Sequence, residues 1–349
     1  MFNNMSIKLK MALIVIVPVL VIAISLGMDS YRSYKEVKVL EHIEEMVGYA
    51  QKSSALVHNL QKERGASAGF VSSKGAKFSS ELSSIRKDTD KTLSELKEYY
   101  NSMEIDYYAQ SLRSKMAKSF DLLLRLQEIR GQVDALSVAV AIPVKYYTTL
   151  NGSFINSIEE IAKMSSNADM NNAINAFVNF LSSKERSGIE RAVISSTFSR
   201  DSFAPGFYEK FIGLINAQEI FMNKFLFLAS DELKNFYEQS MKAKEVDEVQ
   251  RMRDIALKHP NGGFDTDATY WFATITAKIN ILKRVENKIA QDLKNTIAIL
   301  RDKAFNAMIG GLAFNVFVVV FIILFSFYIS NSLAKKINRF KHKIRRAHV

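Results

Sequence analysis

Two long runs without a charged side chain, one near each end of the chain, limit what it can fold into. Met11–Met28 holds 18 such residues, and 31 lie between Lys303 and Lys335, densest from Leu312 to Ile329. At about 1.5 Å per helical residue, the first just crosses a hydrocarbon layer of roughly 30 Å, and the second does so with length to spare. A cleavable signal peptide competes for the first run, because Lys8 and Lys10 precede it and Ala23-Ile24-Ser25 offers a small-x-small site. The run exceeds most signal-peptide cores and a second span follows, so it reads as a retained helix.

The charge pattern orients the two spans. The net charge of +11 would suggest nucleic acid, but its excess sits on the tails. Lys8 and Lys10 precede the first span; Lys335, Lys336, Arg339, Lys341, Lys343, Arg345 and Arg346 follow the second. Without these nine, 38 basic residues face 36 acidic ones, which is near balance. Basic tails beside apolar helices are a topology signal, not a nucleic-acid one, so no nucleic-acid partner is expected. Both tails read as cytoplasmic in an inner-membrane protein of two spans, with residues 29–306 periplasmic, and membrane lipid is an expected contact.

With only 4 prolines and 14 glycines, the region between reads as long helices. Apolar residues recur at three and four, as in Ile275, Ile279, Leu282, Ile289, Leu293 and Leu300. From Thr266 to Ile309 there is no Gly or Pro, which predicts one helix running into the second span, started by the Asp265-Thr266-Asp267 cap. Breaks are predicted at Ser73-Lys74-Gly75, Pro143, Asn151-Gly152, Ser165–Asp169, Ala204-Pro205-Gly206 and His259–Gly263, which gives seven or eight helices.

A short duplication suggests two halves. Lys62-Glu63-Arg64-Gly65 and Lys184-Glu185-Arg186-Ser187 stand 122 positions apart, and each runs on to a Ser-Ser pair. The expected fold is therefore all-α. Two packed helical bundles, about 29–165 and 166–306, lie between transmembrane helices at 11–28 and 307–329, with tails at 1–10 and 330–349.

Cations interrupt the apolar stripes of both motif helices. Val57, Leu60, Arg64, Ala68 and Val71 share one face; Ala173, Phe177, Phe180, Lys184, Ser187, Arg191 and Ile194 share another. Arg186 falls on a polar face, where Glu190 at i+4 can pair with it. Gly65, Gly69 and Gly188 remove bulk nearby. A cation on a buried stripe costs several kcal/mol unless neutralised. Two readings stay open: an internal carboxylate such as Glu63 or Glu185, or a bound planar oxyanion gripped by the arginine fork.

The segment LVHNLQKERGASAGFVSSKG (56–75) closely resembles the opening motif of the NIT domain, the nitrate- and nitrite-sensing domain of bacterial receptors, chemoreceptors and a transcription antiterminator. The similarity continues in NFLSSKERSGIERAVISSTFS (179–199) and YWFATITAKINILKRVENKIAQDL (270–293). What the resemblance implies is two bundles holding nitrate or nitrite with arginines from both halves. By motif these are first Arg64 and Arg191, then Lys184 and Arg186. A receptor of this two-span layout is expected to form a homodimer through its membrane-proximal helices.

No catalytic constellation is found. The five histidines form no HExxH or HxxxH pair, glycines form no phosphate cradle, and the absence of cysteine excludes thiol chemistry. No enzyme activity, cofactor or metal is expected. Trp271-Phe272 reads as core, with a ligand-lining role as the alternative. The basic tail, with Leu333, Ile337, Phe340 and Ile344 at helical spacing, resembles the start of a HAMP linker, so a cytoplasmic signalling partner or an output domain missing from the chain is expected. The expectation is thus an inner-membrane receptor that binds nitrate or nitrite and passes the signal through the helix entering the second span. The alternatives are a receptor for another ligand or binding protein, or a structural membrane protein.

Overall fold

The structure, a computed structural model, describes residues 7–164 and 168–347. Among them every regular element is helical: α1 (Ile7–Ser72), α2 (Ser79–Ser102), α3 (Gln110–Leu123), α4 (Leu126–Asp134), α5 (Ala141–Glu159), α6 (Ala168–Arg200), α7 (Phe207–Leu228), α8 (Asp231–Ser240), α9 (Lys244–Lys258) and α10 (Ala268–Ala347). Two 3-10 turns, Ile105–Tyr107 and Glu160–Met164, complete the set. The chain divides into two compact units.

The smaller unit joins residues 1–41 and 298–349. Here α1 and α10 are long and apolar enough to cross a membrane: their best windows have mean hydropathies of 1.3 and 2.7 and are 6% and 0% buried. Small residues let the two segments approach, with Gly311 against Ser30 Oγ and Gly27 facing Asn315.

The larger unit, His42–Ile297, holds the core. Its centre is α6, which is buried almost continuously from Ala176 to Phe198. One apolar cluster gathers Ile194 and Phe198 of α6, Phe211 of α7, Met252 of α9, and Trp271 and Ile275 of α10. Another joins Ala66 of α1, Leu82 of α2 and Val133 of α4, with Phe272 packed against it.

Several predicted breaks fall where turn chemistry demands them. α1 ends in a Schellman turn: Gly75 N–H reaches Phe70 O at 2.9 Å, with Lys74 left-handed (φ 52°). Asp267 caps α10, its Oδ1 accepting from Tyr270 N at 2.8 Å. The turn before it needs Gly262, whose φ is 103° and whose added Cβ would sit 2.3 Å from Asp201 O. α10 runs unbroken through Ile309, as its lack of Gly and Pro before that point predicts.

Other expectations require correction. Among the described residues there are ten α-helices, not seven or eight, because the chain also breaks at 103–109, 124–125, 229–230 and 241–243 without Gly or Pro. Asn151-Gly152 is no break; it lies inside α5, held there by buried Tyr147, Leu150 and Phe154 on either side. Pro143 sits in the first turn of α5, where its missing N–H costs nothing. The break expected at Ser165–Asp169 falls partly outside the described residues, as do residues 1–6 of the expected N-terminal tail.

Candidate anion-binding site

α1 and α6 each bring a glutamate–arginine pair into the interior, and the glutamates come first. Glu63 is held by Arg130 of α4 through two bonds (2.7 and 2.9 Å) and by Tyr147 Oη (2.8 Å). Glu190 is held by Arg253 of α9 through two bonds of 2.6 Å, with Gln218 Nε2 at 2.8 Å. Both carboxylates are fully buried and fully neutralised. Burial pushes Glu190 up, but Arg253, then Lys278 and Gln218, hold it below the ordinary carboxylate range.

The arginines that follow them meet at the site. Arg64 and Arg191 are both 0% exposed. Arg64 Nη1 donates to Glu185 Oε1 at 2.6 Å and Thr148 Oγ1 of α5 at 3.0 Å. Arg191 Nη1 donates to Thr276 Oγ1 of α10 at 2.8 Å, and its guanidinium lies 5.0 Å from the Phe272 ring centre. No carboxylate among the described residues pairs with Arg191. The Nε and Nη2 groups of both arginines are buried without a hydrogen-bond partner. Burial first, and then Arg64, drive the Arg191 guanidinium downward from its ordinary value, against the pull of Glu185.

These contacts set the register of the internal repeat. Glu63-Arg64 corresponds to Glu190-Arg191, 127 positions later, with Arg130 matched by Arg253 and Thr148 by Thr276. Helices α1–α5 and α6–α10 therefore supply the same four roles in the same order. The 122-residue register from Lys62-Glu63-Arg64 to Lys184-Glu185-Arg186 matches letters, not positions in the fold.

The remaining residues singled out in the sequence divide. Gly188 lies under Arg64: a Cβ there would stand 2.8 Å from Nη2. Gly65 lies under Arg191 and Phe272, where a Cβ would meet Nε at 3.1 Å. Gly69 instead makes room for the Phe78 ring, which packs on Phe272 at 5.1 Å. Lys184 is 1% exposed but bonds Glu286, which Lys283 and Ser54 also engage. Arg186 is half-buried, stacks 4.5 Å over Phe221 and donates to Ser182 O, so the predicted pair with Glu190 does not form: Arg253 has taken that carboxylate. Trp271 is core, its Nε1–H donating to Arg191 O at 3.2 Å, while Phe272 lines the site. Glu185, one of the two carboxylates the sequence offered as an internal partner, does meet Arg64, whereas Thr148 and Thr276, which complete the site, stand out only in three dimensions.

Known proteins resemble the chain in sequence and fold. The model of a family described as nitrate and nitrite sensing matches residues 55–294. A nitrate regulatory protein of Klebsiella oxytoca is 24% identical over 249 residues, 70% of this chain and 62% of the relative, so the match spans under two thirds of that protein. The structure of the NasR transcription antiterminator aligns with a TM-score of 0.71 at 21% identity, over 85% of this chain and 81% of that one. These relatives overturn the expectation of an inner-membrane receptor that carries a nitrate signal across the membrane. One is a nitrate regulatory protein and the other a transcription antiterminator. Apolar length and flanking charge bear on where a helix can sit, not on the kind of output it serves.

Proposed function

The chain belongs to the NIT family of nitrate- and nitrite-sensing domains, and from that premise we propose that its larger unit is a regulatory sensor holding nitrate or nitrite between Arg64 and Arg191. One observation carries this reading: of two fully buried guanidiniums only Arg64 bonds a carboxylate, Glu185, and both leave their Nε and Nη2 groups unbonded. The three charges sum to +1, which a monovalent anion neutralises. Unsatisfied charged donors cost several kcal/mol in an apolar interior, and a planar oxyanion meets them with paired acceptors. Nitrate and nitrite are weakly hydrated, so they lose less on entering than sulfate does, and sulfate would overshoot the charge.

Binding is a coupling device in this geometry. Arg64 comes from the first repeat and Arg191 from the second, and Glu185 offsets their repulsion in part, leaving the rest for an anion between them. The ligand therefore favours the arrangement that brings both halves together. Calorimetry should show nitrate or nitrite binding to the full chain in the presence of excess chloride. Arg64→Ala should weaken it by about 1.5–3 kcal/mol for each charge-assisted bond removed, with helical circular dichroism retained. Equal nitrate affinity in Arg64→Ala and the parent would refute the assignment.

The apolar segments 11–28 and 307–329 are proposed as inner-membrane anchors, with both tails cytoplasmic and residues 29–306 periplasmic. Support comes from their hydropathy and from the basic residues beyond them. The chain has no cysteine, so single cysteines introduced by Ser84→Cys and Asn331→Cys can be mapped cleanly. The first should react with an impermeant thiol reagent in osmotically opened cells and the second only after membrane disruption; the reverse pattern overturns the topology.

A further inference from the structure

The two arginines are sealed from solvent, so a ligand needs a way in. A cavity of about 320 Å³ opens between α5, α6 and α7. Its inner wall includes Thr148, which accepts from Arg64, and Ala192, which follows Arg191. The cavity thus stops one side chain short of the site. Its outer lining includes Lys145, Thr149 and Lys210, all exposed. No carboxylate is found among its described lining residues. A larger cavity, of about 510 Å³, carries Glu219 and Asp247 in its lining and touches neither arginine's threonine partner.

Other features add to the positive field of the smaller cavity. α5 and α7 both begin on its wall, at Ala141 and Phe207, and neither start has a side-chain cap. The positive ends of a 19-residue and a 22-residue helix therefore face the same space. The Lys210 ammonium is pushed down by partial burial and then by Arg64, so rim and site feel one another electrostatically.

We infer that this cavity is a cationic vestibule through which a small monovalent oxyanion reaches Arg64 and Arg191, with Lys145 and Lys210 drawing it inward. The inference rests on the anion site proposed above. A cleft of one charge sign with low-dielectric walls focuses the field and raises the local anion concentration, which speeds association by about 10–1,000-fold and makes it sensitive to salt. The apolar remainder of the lining, Val144 among it, gives the anion no competing place to lodge.

Trp271 allows a direct test. It is the chain's single tryptophan, and it bonds the Arg191 carbonyl. Nitrate binding to the purified full chain would be followed by stopped-flow Trp271 fluorescence, with calorimetric titration alongside. The double variant Lys145→Gln/Lys210→Gln should associate about tenfold more slowly at low salt, with a flatter dependence on ionic strength. Thr149→Phe, which narrows the cavity, should slow association and dissociation by the same factor. If that variant does not fold, the two exposed lysine positions carry the test alone. Rates within about twofold of the parent, in a chain whose nitrate binding still requires Arg64, overturn the vestibule while leaving the site intact. A parent that binds no nitrate overturns both.

Discussion

Lys184 and Arg191 lie two turns apart on α6, equally buried, and their surroundings could hardly differ more. The Lys184 ammonium meets Glu286, a carboxylate it shares with Lys283 and with the Ser54 hydroxyl. Burial still pushes Lys184 down to about 8, more than Glu286 can offset. Arg191 has one threonine and one aromatic face and no carboxylate of its own. A buried cation is thus no mark of a ligand site by itself. What distinguishes Arg191, and to a lesser degree Arg64, is a counter-charge that the protein does not supply.

The largest expected effect tests that contrast. Glu286→Ala leaves Lys184 buried with no partner and should cost about 3–5 kcal/mol in chemical denaturation, with no recovery on adding nitrate. Arg191→Met removes a cation that has no carboxylate partner. It should leave the unliganded chain as stable as before or about 1 kcal/mol more so, since burying a charge is what the fold has to offset there. The stabilisation that nitrate gives the parent should vanish in the same variant. If Arg191→Met destabilises as much as Glu286→Ala, Arg191 is a structural cation and the contrast fails.

The sequence exposes one side of this contrast better than the other. Arg64 and Arg191 are legible because helical phase puts them on apolar stripes, a local property of α1 and α6. Glu286 is not, because it stands 102 positions from Lys184 and only the packing of α10 against α6 joins them. The same limit hides Arg130 and Arg253, the partners that use up Glu63 and Glu190 and so free the arginines beside them. It also explains the wrong repeat register. Lys62-Glu63-Arg64 and Lys184-Glu185-Arg186 match as text, while the structure equates residues by which partner each one meets. Helix ends divide likewise: Lys74, Gly75 and Gly262 mark turns by backbone conformation, whereas the break at 103–109 has no such residue. Ser230 is a signal that was present, since its hydroxyl caps α8 by accepting from Leu233 N at 3.3 Å, ahead of the acidic pair Asp231-Glu232.

An effect confined to low pH, at most about 1.4 kcal/mol per pH unit, comes from His58, which senses both cations. It is 8% exposed on α1, and its Nδ1 has no partner. Burial first, and then Lys184, Lys62, Lys283 and Arg191, hold its pKa well below 6.5. The folded chain therefore keeps His58 neutral at a pH where the unfolded chain protonates it. Its contribution is fully present above about pH 6.5 and is lost as the pH falls toward the lower folded value. Denaturation midpoints between pH 7 and 5 should fall more steeply in the parent than in His58→Leu, by the slope of one proton. Because Lys184 weighs more on His58 than Arg191 does, saturating nitrate should change that slope only slightly. Removing the Lys184 charge with Lys184→Met should reduce it more. A nitrate effect larger than that of Lys184→Met would mean that the site next to Arg191, not the Lys184–Glu286 cluster, sets the local field.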